Sequence, residues 1–225
     1  MVFPAVLAPD AEGLVFVGGN FTRATVTEAY TRGLFPWRGG DAIPWYCPDP
    51  RAVIRPGTLR VTHSLAKRAR TASYTVAFDH DFRGAMTRCA TTPRRHESST
   101  WITPDVIDGY SRLHDAGLAH SVEVYAGDEP IGGLYGLAFG RIFHGESMYH
   151  RARDASKLAL WALDQALLAH GFTLLDCQVP TPHLMSLGAE AWRRDRYLAQ
   201  LAENSAAPTL HESWQSWRVT CLPPR

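Results

Sequence analysis

Glu146, Asp176 and Gln178 are the residues whose types and spacing point to chemistry. Glu146 lies in Phe143-His144-Gly145-Glu146-Ser147-Met148-Tyr149, at the end of a glycine-punctuated β pattern. Asp176 and Gln178 lie in Leu174-Leu175-Asp176-Cys177-Gln178-Val179. Carboxylates are poor strand residues, yet both acids fall inside apolar runs. The bland alternative is a pair of strand-end acids facing water. A carboxylate held among apolar neighbours can instead take or give a proton during a reaction. One helical pattern separates the two runs. A βαβ-like crossover would set the strands side by side, so the three polar groups can meet on one sheet.

Other reactive types nearby are weaker candidates. On a regular strand Cys177 points opposite to Asp176 and Gln178, and no histidine is adjacent in sequence, so it reads as core. Ser147 lacks the G-x-S-x-G turn of a nucleophile elbow. His144 and Glu146 form H-x-E without the P-C-x-x-C half of a zinc deaminase site, and no metal is expected.

The elements that must position these residues follow from pattern and punctuation. Before Pro50, a short strand over 14–17 precedes a helix capped by Thr22 and ended by Gly33. Residues 36–50 are too rich in proline and glycine for regular structure. A boundary near Pro50 divides a small unit, 1–50, from a larger one, 51–225. In the larger unit, strands are expected over 51–54 and 74–78. Thr62 or Ser64 caps one helix, Asp79 caps another, and Thr103-Pro104 starts a third. Residues 91–99 read as a polar, basic loop. Residues 121–125, 131–139 and 141–143 make an antiparallel meander. Asp154 caps the crossover helix, Gly171 ends it, and a strand over 172–179 returns. Trp214 and Trp217 pack back on the body. This order predicts an α+β fold with a mixed sheet, GNAT-like (acetyltransferase-type) in its larger unit, an analogy of fold that names no substrate.

Composition excludes little else. The 225 residues carry a net charge of +1 and ordinary apolar content. The four cysteines are scattered without a Cys-x-x-Cys pair, consistent with reduced thiols in the cytoplasm. No apolar run reaches membrane-spanning length, and residues 1–9 lack the basic start of a signal peptide.

An ordered set of motifs carries a family resemblance. It includes Arg32-Gly33-Leu34-Phe35-Pro36-Trp37, Pro48-Asp49-Pro50-Arg51-Ala52-Val53, Thr100-Trp101-Ile102-Thr103 and His120-Ser121-Val122-Glu123-Val124. It continues through Gly132-Gly133-Leu134-Tyr135-Gly136, Gly145-Glu146-Ser147-Met148, Ala155-Ser156-Lys157 and Asp176-Cys177-Gln178-Val179. Together they resemble the bacterial leucyl/phenylalanyl-tRNA–protein transferases over nearly the whole chain. The resemblance implies a GNAT-like C-terminal domain behind a small N-terminal one. It implies transfer of Leu, Phe or Met from aminoacyl-tRNA to the α-amino group of proteins beginning with Arg or Lys, which marks them for N-end-rule degradation. The expected protein is a cytoplasmic monomer without cofactor or membrane contact. The chain departs from the family in its short N-terminus and at Leu134, where the family carries methionine. That departure bears on side-chain preference, not on the reaction.

The resemblance implies roles for Gln178, Asp176, the apolar pocket and the two tryptophans, and residue chemistry suggests those of Glu146 and the basic cluster. Gln178, supported by Asp176, meets the attacking amine as an orienting acceptor or an oxyanion donor, because an amide oxygen is a feeble base. Glu146 receives a proton or holds the ammonium. Leu134, Phe143, Met148 and Leu175, with Leu160 and Leu163 of the crossover helix, form the pocket for the donor side chain. Trp37 and Trp101 lie near the 3′-adenosine, where aromatic stacking suits an unpaired base. Arg60, Lys67, Arg68 and Arg70 form the basic cluster expected to meet tRNA phosphates. The competing readings are an acyl-CoA-dependent N-acyltransferase and a non-catalytic RNA-binding module.

Overall fold

The computed structural model describes residues 2–5, 7–37, 42–93, 100–205 and 207–225, the side chain of Ser205 excepted. A small three-stranded sheet comes first. It is built from β1 (Leu14–Val17), β2 (Phe35–Pro36) and β3 (Pro44–Tyr46), in the order β1-β3-β2, with α1 (Arg23–Tyr30) between β1 and β2. Thr22 Oγ1 caps α1 by accepting from the Thr25 amide. The expectation of no regular structure over 36–50 is therefore corrected. Pro36 ends β2 and Pro44 begins β3, strand-end places where a missing N–H interrupts no ladder.

β4 (Arg51–Ile54), α2 (His63–Thr71), β5 (Tyr74–Phe78), α3 (Phe82–Thr91) and α4 (Pro104–Asp115) follow. Then come the meander β6 (Ala119–Ala126), β7 (Glu129–Phe139) and β8 (Ile142–His150), the crossover helix α5 (Ala155–Ala169) and β9 (Leu174–Gln178). The chain closes with α6 (Pro182–Ser186), β10 (Glu190–Trp192), α7 (Arg194–Ser205) and a 3-10 turn at Trp214–Ser216. The large sheet has the order β10-β4-β9-β8-β7-β6-β5. Only β8 and β9 run parallel within it, as a crossover helix requires. The α+β, mixed-sheet expectation holds.

Helix caps fall close to the expected residues, with two corrections. Asp81, not Asp79, caps α3 by accepting from the Gly84 amide. Asp79 is buried two residues earlier, where its carboxylate accepts from the Ser121 amide and pairs with His120. Asp154 precedes α5, but it sits in the left-handed region at φ 65 and its side chain makes no cap bond. Residues 94–99 of the expected polar loop lie outside the described residues.

The sheet separates two apolar layers. On one face Phe143, Leu134 and Leu175 pack under Leu158, Leu163 and Ala166 of α5. On the other, Tyr135 and Tyr149 pack with Tyr30 of α1, Met86 of α3 and Tyr110 of α4. Trp214 is fully buried against Phe143, so the C-terminal segment does pack back on the body.

Candidate active site

Two departures from regular pairing open the site. β8 and β9 pair only through Ile142–Leu174, Phe143–Leu175 and His144–Asp176, and then part. Within β8, Gly136 of β7 faces Gly145 while Tyr135 faces Ser147, which leaves Glu146 as the extra residue of a β-bulge. Such bulges re-aim side chains. Gly136 is needed there, because a Cβ would lie 2.2 Å from the His144 carbonyl oxygen and 2.5 Å from the Phe143 ring.

β9 is irregular at the same level. Opposite β4, Ala52 pairs with Gln178 and Val53 with Asp176, so Cys177 is the unpaired residue. Gln178 then turns into the left-handed region at φ 65. Alternation breaks at that point. Asp176 points into the protein, as expected, opposite to Cys177. Gln178, however, lines the cavity together with Cys177, which corrects the expectation that the two point apart.

The parted strands expose a cavity of about 460 Å³. Leu134, Met148, Leu160, Leu163 and Leu175 line its apolar wall. Phe143 does not reach it and lies beneath, fully buried. Glu146 and Gln178 form the polar end, and Trp37 stands at the cavity with its ring edge-on to Tyr46. Trp101 does not line the cavity. It is buried with its ring edge-on to Tyr110. Thr181, His183 and Leu184 complete the rim from the α6 side.

Glu146 keeps part of its surface on the cavity while protein encloses the rest. Its Oε1 accepts from the Tyr30 hydroxyl at 2.5 Å and from Gln178 Nε2 at 3.1 Å. Its Oε2 accepts from the Tyr110 hydroxyl at 3.3 Å. Burial pushes the carboxyl up to about 8, and the nearby Asp176 charge adds to this. The two tyrosine hydroxyls and Arg51 pull the other way. Burial and the Glu146 charge hold both tyrosines well above their ordinary range, so they remain donors.

Asp176 is different. Burial works against its charge, but Arg51 and His144 outweigh it and hold the carboxyl well below the usual range. Arg51 donates from Nε to Oδ1 at 2.8 Å and from Nη2 to Oδ2 at 2.6 Å. Tyr197 donates to Oδ2 at 2.9 Å, and His144 Nδ1 lies at the same distance. Burial lowers His144, leaving it a neutral donor. The remaining bond to Oδ1 comes from the Gln178 amide at 2.9 Å. Asp176 therefore anchors the backbone of Gln178, and Glu146 anchors its side chain. Burial raises the Cys177 thiol far above its ordinary value, so it carries no thiolate to act as a nucleophile.

The structure thus brings Glu146, Gln178 and five of the six apolar residues to one cavity. Asp176 and Phe143 lie just behind it. Arg60, Lys67, Arg68 and Arg70 lie on and before α2, away from the cavity lining. Sequence reasoning missed Tyr30, Tyr110, Arg51 and Tyr197. Tyr30 and Tyr110 carried a signal only as apolar members of helical stripes. Arg51 carried one as a cation inside a short apolar strand. Among the described residues, no group of three or more His, Cys, Asp or Glu could hold a metal ion. Nor is any helix long and apolar enough to cross a membrane.

Known proteins resemble this chain over most of its length. The model of the family described as leucyl/phenylalanyl-tRNA protein transferase matches residues 53–202, and that of its N-terminal domain matches residues 19–49. A leucyl/phenylalanyl-tRNA–protein transferase of Chromohalobacter salexigens is 48% identical over 217 residues, 95% of this chain and 84% of that one. One of Solidesulfovibrio magneticus is 43% identical over 226 residues, 100% of this chain and 92% of that one. Among solved structures, a GCN5-related N-acetyltransferase from Kribbella flavida aligns with a TM-score of 0.43 and 16% identity, over 76% of this chain and 60% of that one.

Proposed function

The chain belongs to the leucyl/phenylalanyl-tRNA–protein transferase family, and on that premise we propose that it moves Leu, Phe or Met from charged tRNA to proteins beginning with Arg or Lys. The modified proteins would then enter N-end-rule degradation. The enzyme works in the cytoplasm as a monomer, without a cofactor. Residues 1–50 and 51–225 act as its two units, with Glu146 tied to Tyr30 across the division.

The observation that carries this reading is the apolar cavity closed at one end by the Glu146–Gln178 pair. Its volume suits a small ligand, which typically needs about 300–1,000 Å³. Unbranched or γ-branched side chains such as Leu, Phe and Met fit between Leu134, Met148, Leu160, Leu163 and Leu175. The ester carbonyl then lies at the polar end, with the terminal adenine stacked on Trp37. Trp101 supports that region from behind. The exposed cations Arg60, Lys67 and Arg70, with Arg68, take tRNA phosphates.

The chemistry needs little driving force. The acceptor arrives mostly as an ammonium, whose reference pKa is about 7.7–8.0. Glu146, pushed up to about 8, is closely matched to it. Proton transfer from ammonium to carboxylate is therefore nearly isoenergetic. Gln178 Nε2 is committed to Glu146, which leaves the amide oxygen to accept an N–H of the amine and aim its lone pair. The nitrogen attacks the ester carbon and the amide forms. The nitrogen's second proton leaves with the ribose oxygen. The proton on Glu146 goes to solvent, matching the one proton that the overall reaction releases. Holding amine and ester together supplies much of the acceleration. Asp176 takes no proton. It fixes Gln178 through the backbone.

Incubation of the protein with Leu-tRNA and peptides beginning in Arg, Lys or Ala tests the proposal. Leucine should appear on the α-amino group of the Arg and Lys peptides. Absence of transfer, or equal transfer to all three, would refute it.

A further inference from the structure

A cluster of charge outside the site caps the N-terminal end of α5. Asp154, left-handed and free of any capping bond, collects three cations with its carboxylate. Lys157 Nζ lies at 3.1 Å, Arg68 Nε of α2 at 3.2 Å and Arg153 Nε at 3.7 Å. These four groups carry a net charge of +2. An isolated aspartate before a helix would repel an anion. Under three cations it becomes the fixed centre of a positive surface, to which the helix N-terminus adds its own partial charge. Arg153 is 82% exposed and Lys157 37%, so both can reach a ligand.

The cluster adjoins the cavity. Lys157 precedes Leu160, a lining residue, by three positions, so the two share a face of α5. His183 lies on the cavity rim, close enough to Lys157 for its charge to act on it. On its other side the cluster runs through Arg68 into α2, whose Lys67 and Arg70 are exposed. Among the described residues neither has an ion-pair partner. A cationic band carried by two neighbouring helices and ending at a cavity suits a polyanion that enters by its end.

We propose that Arg153 and Lys157, gathered around Asp154 and partly offset by its charge, bind a backbone phosphate of the donor RNA strand where its 3′ end enters the cavity. The inference rests on the proposed function and adds a second phosphate contact to it, nearer the cavity than the α2 cluster.

The test is binding of uncharged tRNA to the full-length protein across a series of salt concentrations. Removing one cation from a phosphate flattens the log–log salt slope by roughly 0.7–0.9. The double variant Arg153→Gln/Lys157→Gln should bind roughly tenfold more weakly at low salt and show a flatter slope. Asp154→Asn should do the opposite. Asparagine tolerates the left-handed backbone, and loss of the carboxylate raises the local charge, so tRNA should bind more tightly. A cluster that served only stability would make Asp154→Asn bind no better, with a lower melting temperature. An unmoved slope in the double variant, or weaker binding by Asp154→Asn, overturns the proposal, and a folding defect cannot mimic tighter binding. If the wild type transfers from charged tRNA and these variants bind normally, this inference fails alone. If the wild type shows no transfer but the variants shift tRNA binding as stated, the proposed function fails and the phosphate site remains.

Discussion

Gln178 Nε2 donates to Glu146 Oε1 at 3.1 Å, across the gap where β8 and β9 have parted. Two irregularities make that bond possible, the bulge that turns Glu146 and the left-handed backbone that turns Gln178. Neither residue would face the other on regular strands. The same bond sets the orientation of the amide and so which end is offered to the cavity.

Gln178→Asn separates shape from chemistry. Asparagine accepts φ near 65 more readily than glutamine, so folding stability should stay level or rise slightly. Its side chain is one methylene shorter and cannot span to Glu146 while presenting its oxygen to the amine. Turnover should fall by about 10²-fold, the scale of a roughly 1 Å misplacement of the reacting groups. Melting curves and steady-state transfer measure the two effects. Loss of stability and activity together would instead mark Gln178 as a structural residue.

Tyr30→Phe should move a pH profile rather than abolish activity. The hydroxyl stabilises the Glu146 carboxylate and lowers its pKa, against the burial that raises it. Without that donor the pKa climbs further above about 8, so the rise of kcat with pH shifts to higher pH. At pH 7 the rate should drop by about tenfold, the worth of one hydrogen bond to a charged group. The deficit should shrink as pH rises. A uniform loss at every pH would remove Tyr30 from this role.

Much of this arrangement was legible in the sequence because it follows from periodicity and punctuation. The meander, the crossover helix and the parallel return of β9 are each announced by apolar alternation, glycine turns or a helix start. The adjacency of Glu146 and Gln178 followed from that topology. What alternation cannot reveal is where it fails. The Glu146 bulge and the φ of Gln178 put Cys177 and Gln178 on the same cavity. Long-range partners were equally hidden. Arg51 lies 125 residues from Asp176, and Tyr30 lies 116 from Glu146. Nothing local distinguishes either from an ordinary strand cation or a core tyrosine.

Asp176→Asn should be costly to the fold. Arg51 is fully buried and would keep its charge without a counter-ion. Removing one partner of a buried ion pair typically destabilises by about 3–5 kcal/mol. The Gln178 amide would also lose an anionic acceptor. Urea unfolding of the variant checks this. A change well under about 1 kcal/mol would mean that the Arg51–Asp176 pair does not hold the sheet.

Glu146 should leave a signature in stability as well as in catalysis. Its folded pKa of about 8 lies above the ordinary 4.5, so the folded state holds an extra proton between those values. Its contribution to stability is fully present below pH 4.5 and is lost as pH rises through about 8. Glu146→Gln removes this dependence. The stability difference, variant minus wild type, should therefore grow in the variant's favour from pH 5 to pH 8.5. Buried Glu123, pushed up to about 7, titrates in both proteins and cancels in the difference. A difference that stays flat over that range would place the Glu146 pKa near its ordinary value.

Donor choice should depend on Met148 more than on Leu134, although the two face each other across β7 and β8. Both line the cavity, but Leu134 is buried while Met148 is partly exposed to it. Met148→Ala opens a hole on the accessible wall. Leu and Phe donors then pack against an emptier wall, and bulkier aromatic donors have more room. One methylene in an apolar pocket is worth about 1–3 kcal/mol, or roughly 10–200-fold in kcat/KM. Met148→Ala should lower kcat/KM for Leu-tRNA by an amount within that span and narrow the preference for Leu over Trp. Leu134→Met nearly conserves volume, a class of change that usually costs under about 1.5 kcal/mol. It should keep the ranking of Leu, Phe and Met donors within about tenfold of the wild type. Competition between charged tRNAs for one Arg-initiated peptide reads both effects. An unchanged ranking in Met148→Ala would mean that the donor side chain lies elsewhere.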